Sequence, residues 1–117
     1  MKIEELRLDN YVMYANVTGK VKGIFSDGFL ETEMVTAPFT AFQPITLTEE
    51  ILLKLGAIEL VNLTDGYKRF NLDGIHLSIS PERDYYIEYV HQIPIKHLNT
   101  LQNFYFYTKG KELAVKL

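Results

Sequence analysis

The chain lacks cysteine and tryptophan altogether, and it has no long run of charge or of apolar residues. Without cysteine it has no disulfide framework, no thiolate metal site and no cysteine nucleophile, which fits a reducing compartment. No apolar stretch approaches the roughly 20 residues of a membrane span. The charged opening MKIEELRLDN has no apolar signal region. We therefore expect a soluble, cytoplasmic protein that does not associate with membranes.

The charges are balanced and dispersed. Twelve basic and 15 acidic residues give a net charge of −3, and this mixture disfavours a dedicated nucleic-acid binder, which usually shows a basic footprint. The length of 117 residues predicts a single domain over residues 1–117. No linker rich in serine, glycine or proline separates residues 4–45 from residues 47–117.

Short strands and tight turns are predicted for residues 4–45. Asp9-Asn10, Asn16 to Gly19 and Ser26-Asp27-Gly28 are turn signals between short stretches that alternate apolar and polar residues. Four or five strands within about 40 residues favour a small curled sheet or an SH3-like β-barrel. Such a sheet is too small to cover both of its faces, so it needs a further element to pack against.

A short helix is predicted over Leu47–Gly56. Thr48 is a good N-cap, and Glu49 and Glu50 lie where the helix dipole favours negative charge. Gly56 is a suitable end for the helix, because it tolerates a left-handed conformation.

An antiparallel meander is predicted for the following segment. In its clearest strand Ile75, Leu77 and Ile79 alternate with His76, Ser78 and Ser80, which predicts one buried and one solvated face. The predicted strands are Ala57–Leu63, Tyr67–Leu72, Ile75–Ser80 and Tyr85–Gln92, and Glu112–Leu117 is predicted to add an edge strand.

The stretch Lys96–Leu113 is the strongest candidate for a long helix. Leu98, Leu101 and Tyr105 fall on one stripe at helical spacing, whereas Tyr107 falls on the opposite side. Lys109-Gly110 is a plausible stop, and Asn99 is a candidate cap for a shorter helix. The whole chain is thus predicted to be α+β: an SH3-like N-terminal barrel or curled sheet, a short helix, a meander, and a C-terminal helix packed on the sheet.

Three stretches share their order and spacing with a known pattern. Glu5–Val12 is like ELRIGNxV, Pro44–Gly56 is like PIPLTEEWLLKFG, and Leu101–Leu113 is like LQNLYFALTGEEL. Together they resemble a family of small uncharacterised bacterial and phage-borne proteins. The resemblance covers nearly the whole chain but implies no activity, because the shared positions are mostly apolar, capping and turn residues.

Catalytic and metal-binding patterns are weak. His76, His91 and His97 have no ligand-like spacing, so we predict no metal site. The paired glutamates belong to a charged terminus, a solvated strand face and a helix start, and no phosphate loop, dinucleotide fingerprint or nucleophile elbow is present. We predict no cofactor and no enzymatic activity, although an active site whose residues converge only in three dimensions stays open.

Aromatic residues beside cations are the sequence feature closest to a binding site. Tyr67-Lys68-Arg69-Phe70, and Lys20 and Lys22 with Phe25, are candidates for stacking on single-stranded nucleic acid. Tyrosines crowd the last third of the chain, where they either tile a half-buried sheet or form an interface. The candidate interaction surface comprises Tyr67, Lys68, Arg69, Tyr85, Tyr86 and Tyr107.

The leading hypothesis is a non-enzymatic protein-interaction or accessory module, derived from phage, whose partner is another protein. The alternative is a nucleic-acid-associated module of the SH3-like or OB-like type.

Overall fold

Ten strands and two α-helices form within residues 2–61, 65–89 and 91–117, which are the residues that the computed structural model describes. Short 3-10 turns cover Ile3–Glu5 and Phe39–Ala41. The first five strands are β1 Tyr11–Tyr14, β2 Val17–Ile24, β3 Phe29–Thr32, β4 Thr36–Pro38 and β5 Gln43–Pro44. The remaining elements are α1 Glu49–Lys54, β6 Ile58–Glu59, β7 Lys68–Leu72, β8 Ile75–Ile79, β9 Tyr85–Glu88, β10 Gln92–Ile95 and α2 Leu98–Lys109.

The α+β class is confirmed. Two antiparallel five-stranded sheets have the orders β4-β3-β2-β1-β5 and β10-β9-β8-β7-β6, and α2 is the C-terminal helix. The long strand β2 serves two partners: its first half pairs with β1 and its second half with β3, with a register shift between Val21 and Gly23. Within the described residues β4 and β5 do not pair, so the first sheet is not a closed barrel.

The chain divides into two units, and each contains one of the sheets. The first unit runs to Thr46 and resumes over His97–Glu112, whereas the second comprises Leu47–Lys96 and Leu113–Leu117. Helix α2 therefore belongs with the first sheet, while the division expected from the sequence placed it with the meander in residues 47–117. The single domain stays a prediction.

The first sheet buries one side of its strands in a small core. Val12, Val21 and Leu30 come from three neighbouring strands and are fully buried. Side chains that alternate along a strand point to opposite faces, so one apolar residue in two is enough to build this layer. The other buried members of the cluster are Leu6, Ala37 and Phe42.

Helix α2 buries the predicted stripe of Leu98, Leu101 and Tyr105. Its ends are formed differently from each other. Gly110 ends the helix in the left-handed region at φ 72°, as predicted. The predicted cap at Asn99 is wrong, because His97 precedes the helix and Asn99 lies buried inside it.

Amide side chains join α2 to the segment before β1. The side chain of Gln102 accepts a hydrogen bond from the N–H of Tyr11 at 2.9 Å and donates one to the carbonyl of Asp9 at 3.1 Å. The Asn103 carbonyl oxygen accepts from the amide of Asn10 at 2.8 Å and from Nε of Arg7 at 3.1 Å. The Gln102 side chain thus takes the place of water as the partner of the N–H of Tyr11 and of the carbonyl of Asp9. Without it these backbone groups would lack a hydrogen-bond partner beneath the helix.

The guanidinium of Arg7 extends the same network. It pairs with the carboxylate of Glu112, with one N···O distance of 3.1 Å, and its Cζ lies 4.1 Å from the centroid of the Phe106 ring. One side chain thus ties the start of the first unit to the end of its helix.

Helix α1 in the second unit begins as predicted. The hydroxyl of Thr48 accepts a hydrogen bond from the N–H of Ile51 at 3.1 Å, and Gly56 follows the helix at φ 95°. The predicted turn at Asp73-Gly74 is also confirmed, with φ values of 50° and 88° that match a two-residue hairpin.

The meander differs from the predicted strands in its boundaries. The predicted strand Tyr85–Gln92 divides into β9 and β10, with Val90 outside the described residues. In the described part of the predicted strand Ala57–Leu63, β6 covers Ile58–Glu59, whereas Asn62 and Leu63 lie outside the described residues. The edge strand predicted for Glu112–Leu117 is wrong, because that segment has no strand pairing.

The expected solvated face of β8 is partly wrong as well. His76 is exposed, but Ser78 and Ser80 are buried. Ser78 lies between Arg69 and Tyr86 in the neighbouring strands, so long side chains shield this short one from water.

No helix in the described residues is long and apolar enough to cross a membrane.

Candidate functional site

The six residues of the predicted interaction surface do not lie together. In the second sheet Arg69 and Tyr86 each lie opposite Ser78, and therefore share its face. Lys68 and Tyr85 each lie opposite Ile79, which places them on the other face. Tyr107 is 76% exposed and belongs to helix α2 in the first unit.

Arg69 is neutralised by a neighbour rather than presented to a ligand. Its guanidinium binds the Asp65 carboxylate through two hydrogen bonds of 3.2 and 2.6 Å and lies 5.4 Å from the centroid of the Tyr67 ring. Burial raises the pKa of Tyr86 above its ordinary value, and the Asp84 carboxylate adds to the rise.

The ion pair with Arg69 lowers the pKa of Asp65, with a smaller contribution from the N–H of Tyr67. A lowered carboxyl pKa means that the pair contributes stability above the ordinary pKa and loses it as pH falls through the lowered value. We expect Arg69→Met to raise the pKa of Asp65 towards its ordinary value in a carbon-13 NMR titration. Lys68→Met is the control and leaves that pKa unchanged. An unchanged pKa in Arg69→Met contradicts the assignment.

Lys68 holds strand β7 to helix α1. Its ammonium lies 2.9 and 3.2 Å from the two carboxylate oxygens of Glu49, and this pairing raises the pKa of Lys68. The pair is partly exposed, so it orients the helix more than it stabilises the fold.

A polar groove of about 530 Å³ lies on the Arg69 face of the second sheet. Within it the carboxylate of Glu88 accepts hydrogen bonds from Ser78 at 2.7 Å and from Gln92 at 2.8 Å. Both bonds converge on the same oxygen, so they fix the carboxylate in the groove. No group of three or more potential metal ligands converges in the part of the chain that the structure describes.

An apolar cavity of about 240 Å³ opens on the first sheet. Its walls come from the β1–β2 hairpin, the β3–β4 turn and the end of the 3-10 turn before β5. The lining residues are Val12, Tyr14, Ala15, Val17, Thr18, Gly19, Thr32, Met34, Val35 and Phe42.

Backbone geometry holds the cavity open. Ala15 and Asn16 adopt φ values of 49° and 65°, which form the tight turn of the hairpin. The Thr32 hydroxyl accepts hydrogen bonds from the N–H groups of Met34 and Val35, both at 3.3 Å, and fixes the opposite wall. A Cβ atom on Gly19 would lie 3.2 Å from Cβ of Thr32, so glycine leaves room for the Thr32 side chain in this wall.

The rim of the cavity is apolar and exposed. Val17 is 46% and Met34 is 65% exposed, and the Tyr14 ring packs at a tilt on Phe42 with a centroid distance of 5.3 Å. The lining contains no carboxylate, imidazole, amine or guanidinium. Such a surface is suited to binding an apolar group.

Sequence reasoning missed this cavity. Tyr14 and Val17 flank the hairpin turn, which was a detectable signal, but Met34 and Phe42 are distant along the chain and only folding brings them to the same opening.

No family model, no curated protein and no solved structure matches the chain.

Proposed function

We propose that this protein is a non-enzymatic protein-interaction module that receives an apolar side chain of a partner protein in the cavity of the first sheet. The observation that carries the proposal is the open, uncharged cavity with exposed Val17 and Met34 at its rim. Exposed apolar groups beside a preformed pocket are typical of protein interfaces, where a buried anchor supplies much of the binding energy. An accessory role is part of the proposal, as is an origin in phage, since the family that the sequence resembles includes phage-borne proteins. We place the protein in the cytoplasm.

We propose further that the first sheet is an open SH3-like barrel. The strand order β4-β3-β2-β1-β5, the shared and bulged strand β2, and the 3-10 turn Phe39–Ala41 just before β5 support this assignment. In folds of this kind, loops at one end of a rigid sheet carry the binding site. The walls of the cavity are likewise formed by the turns that connect the strands of the first sheet.

The absence of catalysis is part of the proposal. Arg69 is engaged by Asp65 and Lys68 by Glu49. In the polar groove the Glu88 carboxylate is engaged by Ser78 and Gln92. A nucleophile or general base needs a partner group within hydrogen-bonding reach, and the cavity lining has no carboxylate, imidazole or amine to supply one.

Photocrosslinking in the cells that express the protein tests the proposal. With p-benzoylphenylalanine in place of Met34, we expect a crosslink to one defined protein, identified by mass spectrometry. Adding Val17→Asp reduces the yield at least about tenfold, because an unpaired carboxylate is costly to bury. The matched control places the crosslinker at Leu8, which is similarly exposed in the same unit but does not line the cavity.

Equal crosslinking from Met34 and Leu8, or insensitivity to Val17→Asp, contradicts a role for the cavity. Each sample is divided and treated with or without nuclease before recovery. A crosslinked protein that survives nuclease supports a direct protein partner.

A nucleic-acid-associated module is the second candidate. Phe25 and Phe29 are both exposed at the β2–β3 hairpin, and Lys22 is exposed in β2. This combination of rings and a cation favours stacking on single-stranded nucleic acid. Recovery that disappears with nuclease supports this candidate instead.

A further inference from the structure

Proline lies in three of the four edge strands of the two sheets. The edges are β4 and β5 in the first sheet and β10 and β6 in the second. Pro38 lies in β4, Pro44 in β5 and Pro94 in β10, whereas β6 has no proline. Since proline has no N–H, it prevents an outside strand from pairing at its position.

The prolines of the first sheet lie where that effect is greatest. In an antiparallel pair alternate residues bond to the partner strand, and the residues between them direct their N–H groups outward. In β3–β4 the bonded pairs include Gly28 with Phe39, so the neighbouring Pro38 faces outward. In β1 the carbonyl of Asn10 accepts a hydrogen bond from the N–H of Val21, so Val12, two residues further on, also directs its backbone N–H and C=O towards β2. Pro44 lies opposite Val12 in the β1–β5 pair, so its nitrogen faces outward as well.

The same reasoning applies to β10. The N–H of Tyr89 donates to the carbonyl of His91 at 3.1 Å, which makes 89 and 91 a bonded pair. Counting in steps of two from residue 91, Ile93 and Ile95 also direct their backbone N–H and C=O groups towards β9. Pro94, between them, faces outward, so three edges are blocked at outward positions.

Strand β6 has the opposite character. The N–H of Leu60 donates to the carbonyl of Arg69 at 2.8 Å, so Leu60 and Ile58 bond inward to β7 and Glu59 faces outward. Within the described residues no hydrogen bond uses the backbone N–H or C=O of Glu59. Ile58 is 69% and Val61 is 90% exposed, and both are residues that favour extended pairing.

We propose that the edge of β6 accepts an extended strand of a partner protein, with a lysine or arginine opposite Glu59. An open edge offers backbone hydrogen bonds for strand addition, and side chains of the added strand supply specificity. Glu59 is the only charge in residues 57–61. The carboxylates of Glu59 and Glu49 both raise the pKa of Lys68, so one lysine serves two carboxylates. A further cation on an added strand would therefore complement the charge of this edge. Arg83, the other cation near Lys68, belongs to the β8–β9 turn on the far side of β7.

A second copy of this chain is the less favourable occupant. A two-fold axis at the outward residue would place Glu59 opposite Glu59 of the other copy, and like charges in direct cross-strand positions are destabilising. The net charge of −3 adds to this repulsion. The inference goes beyond the proposed function, since it concerns the second unit and does not depend on the cavity.

The test places an outward-facing proline in β6, as the other three edge strands already have. Glu59→Pro removes the outward N–H while keeping the extended backbone, and Glu59→Thr is the matched control that keeps the N–H. The probe is the peptide Thr-Val-Lys-Val-Lys-Val-Thr, added to the full chain and followed by nitrogen-15 NMR and amide exchange. We expect shifts at residues 58–61 and 69–71, protection of the Glu59 amide, and binding about tenfold weaker in Glu59→Pro than in Glu59→Thr.

Charge and specificity are tested with two further arms. The peptide Thr-Val-Glu-Val-Glu-Val-Thr is expected to bind several-fold more weakly than the lysine peptide. Val17→Asp, which tests the cavity, leaves peptide binding unchanged, so failure of one proposal is distinguishable from failure of the other. The inference is overturned if the lysine peptide leaves residues 58–61 unshifted, or if Glu59→Pro binds as well as Glu59→Thr. Dimerisation of the free chain that Glu59→Pro abolishes, measured by analytical ultracentrifugation, overturns the assigned occupant.

Discussion

Replacing Gln102 with alanine is expected to lower the free energy of unfolding by about 2–4 kcal/mol. The side chain is 1% exposed and bonds both to the N–H of Tyr11 and to the carbonyl of Asp9. Its removal leaves two backbone groups without partners in a largely buried site, and each such group costs about 1–3 kcal/mol. The truncation also leaves a cavity next to β1, which adds to the loss.

Urea denaturation followed by circular dichroism measures this effect as a lower midpoint at unchanged slope. Thr100→Ala is the control, because Thr100 is exposed on the same helix and its substitution is expected to change stability by no more than about 0.5 kcal/mol. A similarly small effect of Gln102→Ala would mean that water replaces the amide, and it would contradict a structural role for these bonds.

Replacing Phe70 with alanine is expected to have the largest effect, a loss of about 3–5 kcal/mol. Phe70 is the largest fully buried side chain in the described residues. It lies in the middle of β7, opposite the buried Leu77 of β8. It also lies opposite Glu59 of β6, so we expect the edge proposed for strand addition to lose order first. Val61→Ala in the same unit is the control with an exposed side chain.

Amide exchange in Phe70→Ala also tests the prediction of a single domain. A single cooperative domain loses protection in both units together, since its transitions coincide. Protection that falls only in residues 47–96 would contradict that prediction and describe two independent folding units. For the stability prediction itself, a decrease in the free energy of unfolding of less than about 1 kcal/mol in Phe70→Ala would contradict the placement of Phe70 in the core.

Local features of the fold were readable from the sequence because their physics is local. Thr48 caps α1 through a hydroxyl three residues from the N–H that it bonds, and Gly110 ends α2 because glycine tolerates a positive φ. The stripe of Leu98, Leu101 and Tyr105 follows from helical spacing alone. The α+β class follows from the same kind of pattern.

The predicted interaction surface shows where such reasoning ends. Lys68 and Arg69 are adjacent in the sequence, yet they lie on opposite faces of β7 and form ion pairs with different elements. A cation next to an aromatic residue looks available for binding until the fold supplies a carboxylate such as Asp65. Adjacent strand residues diverge because side chains alternate between the two faces.

By itself the sequence determined the α+β class, the start of α1 at Thr48, the end of α2 at Gly110 and the turn at Asp73-Gly74, because these depend on residues within a few positions of one another. The turn predicted for Asn16 to Gly19 is wrong, because Ala15 and Asn16 form the turn and β2 begins at Val17. Only the tertiary structure decided that α2 belongs with the first sheet, that polar Gln102 and Ser78 are buried, and that Val17 and Met34 meet at one cavity. Those outcomes depend on contacts between residues distant along the chain, and in particular on which carbonyl, carboxylate or long side chain folding brings beside each polar group.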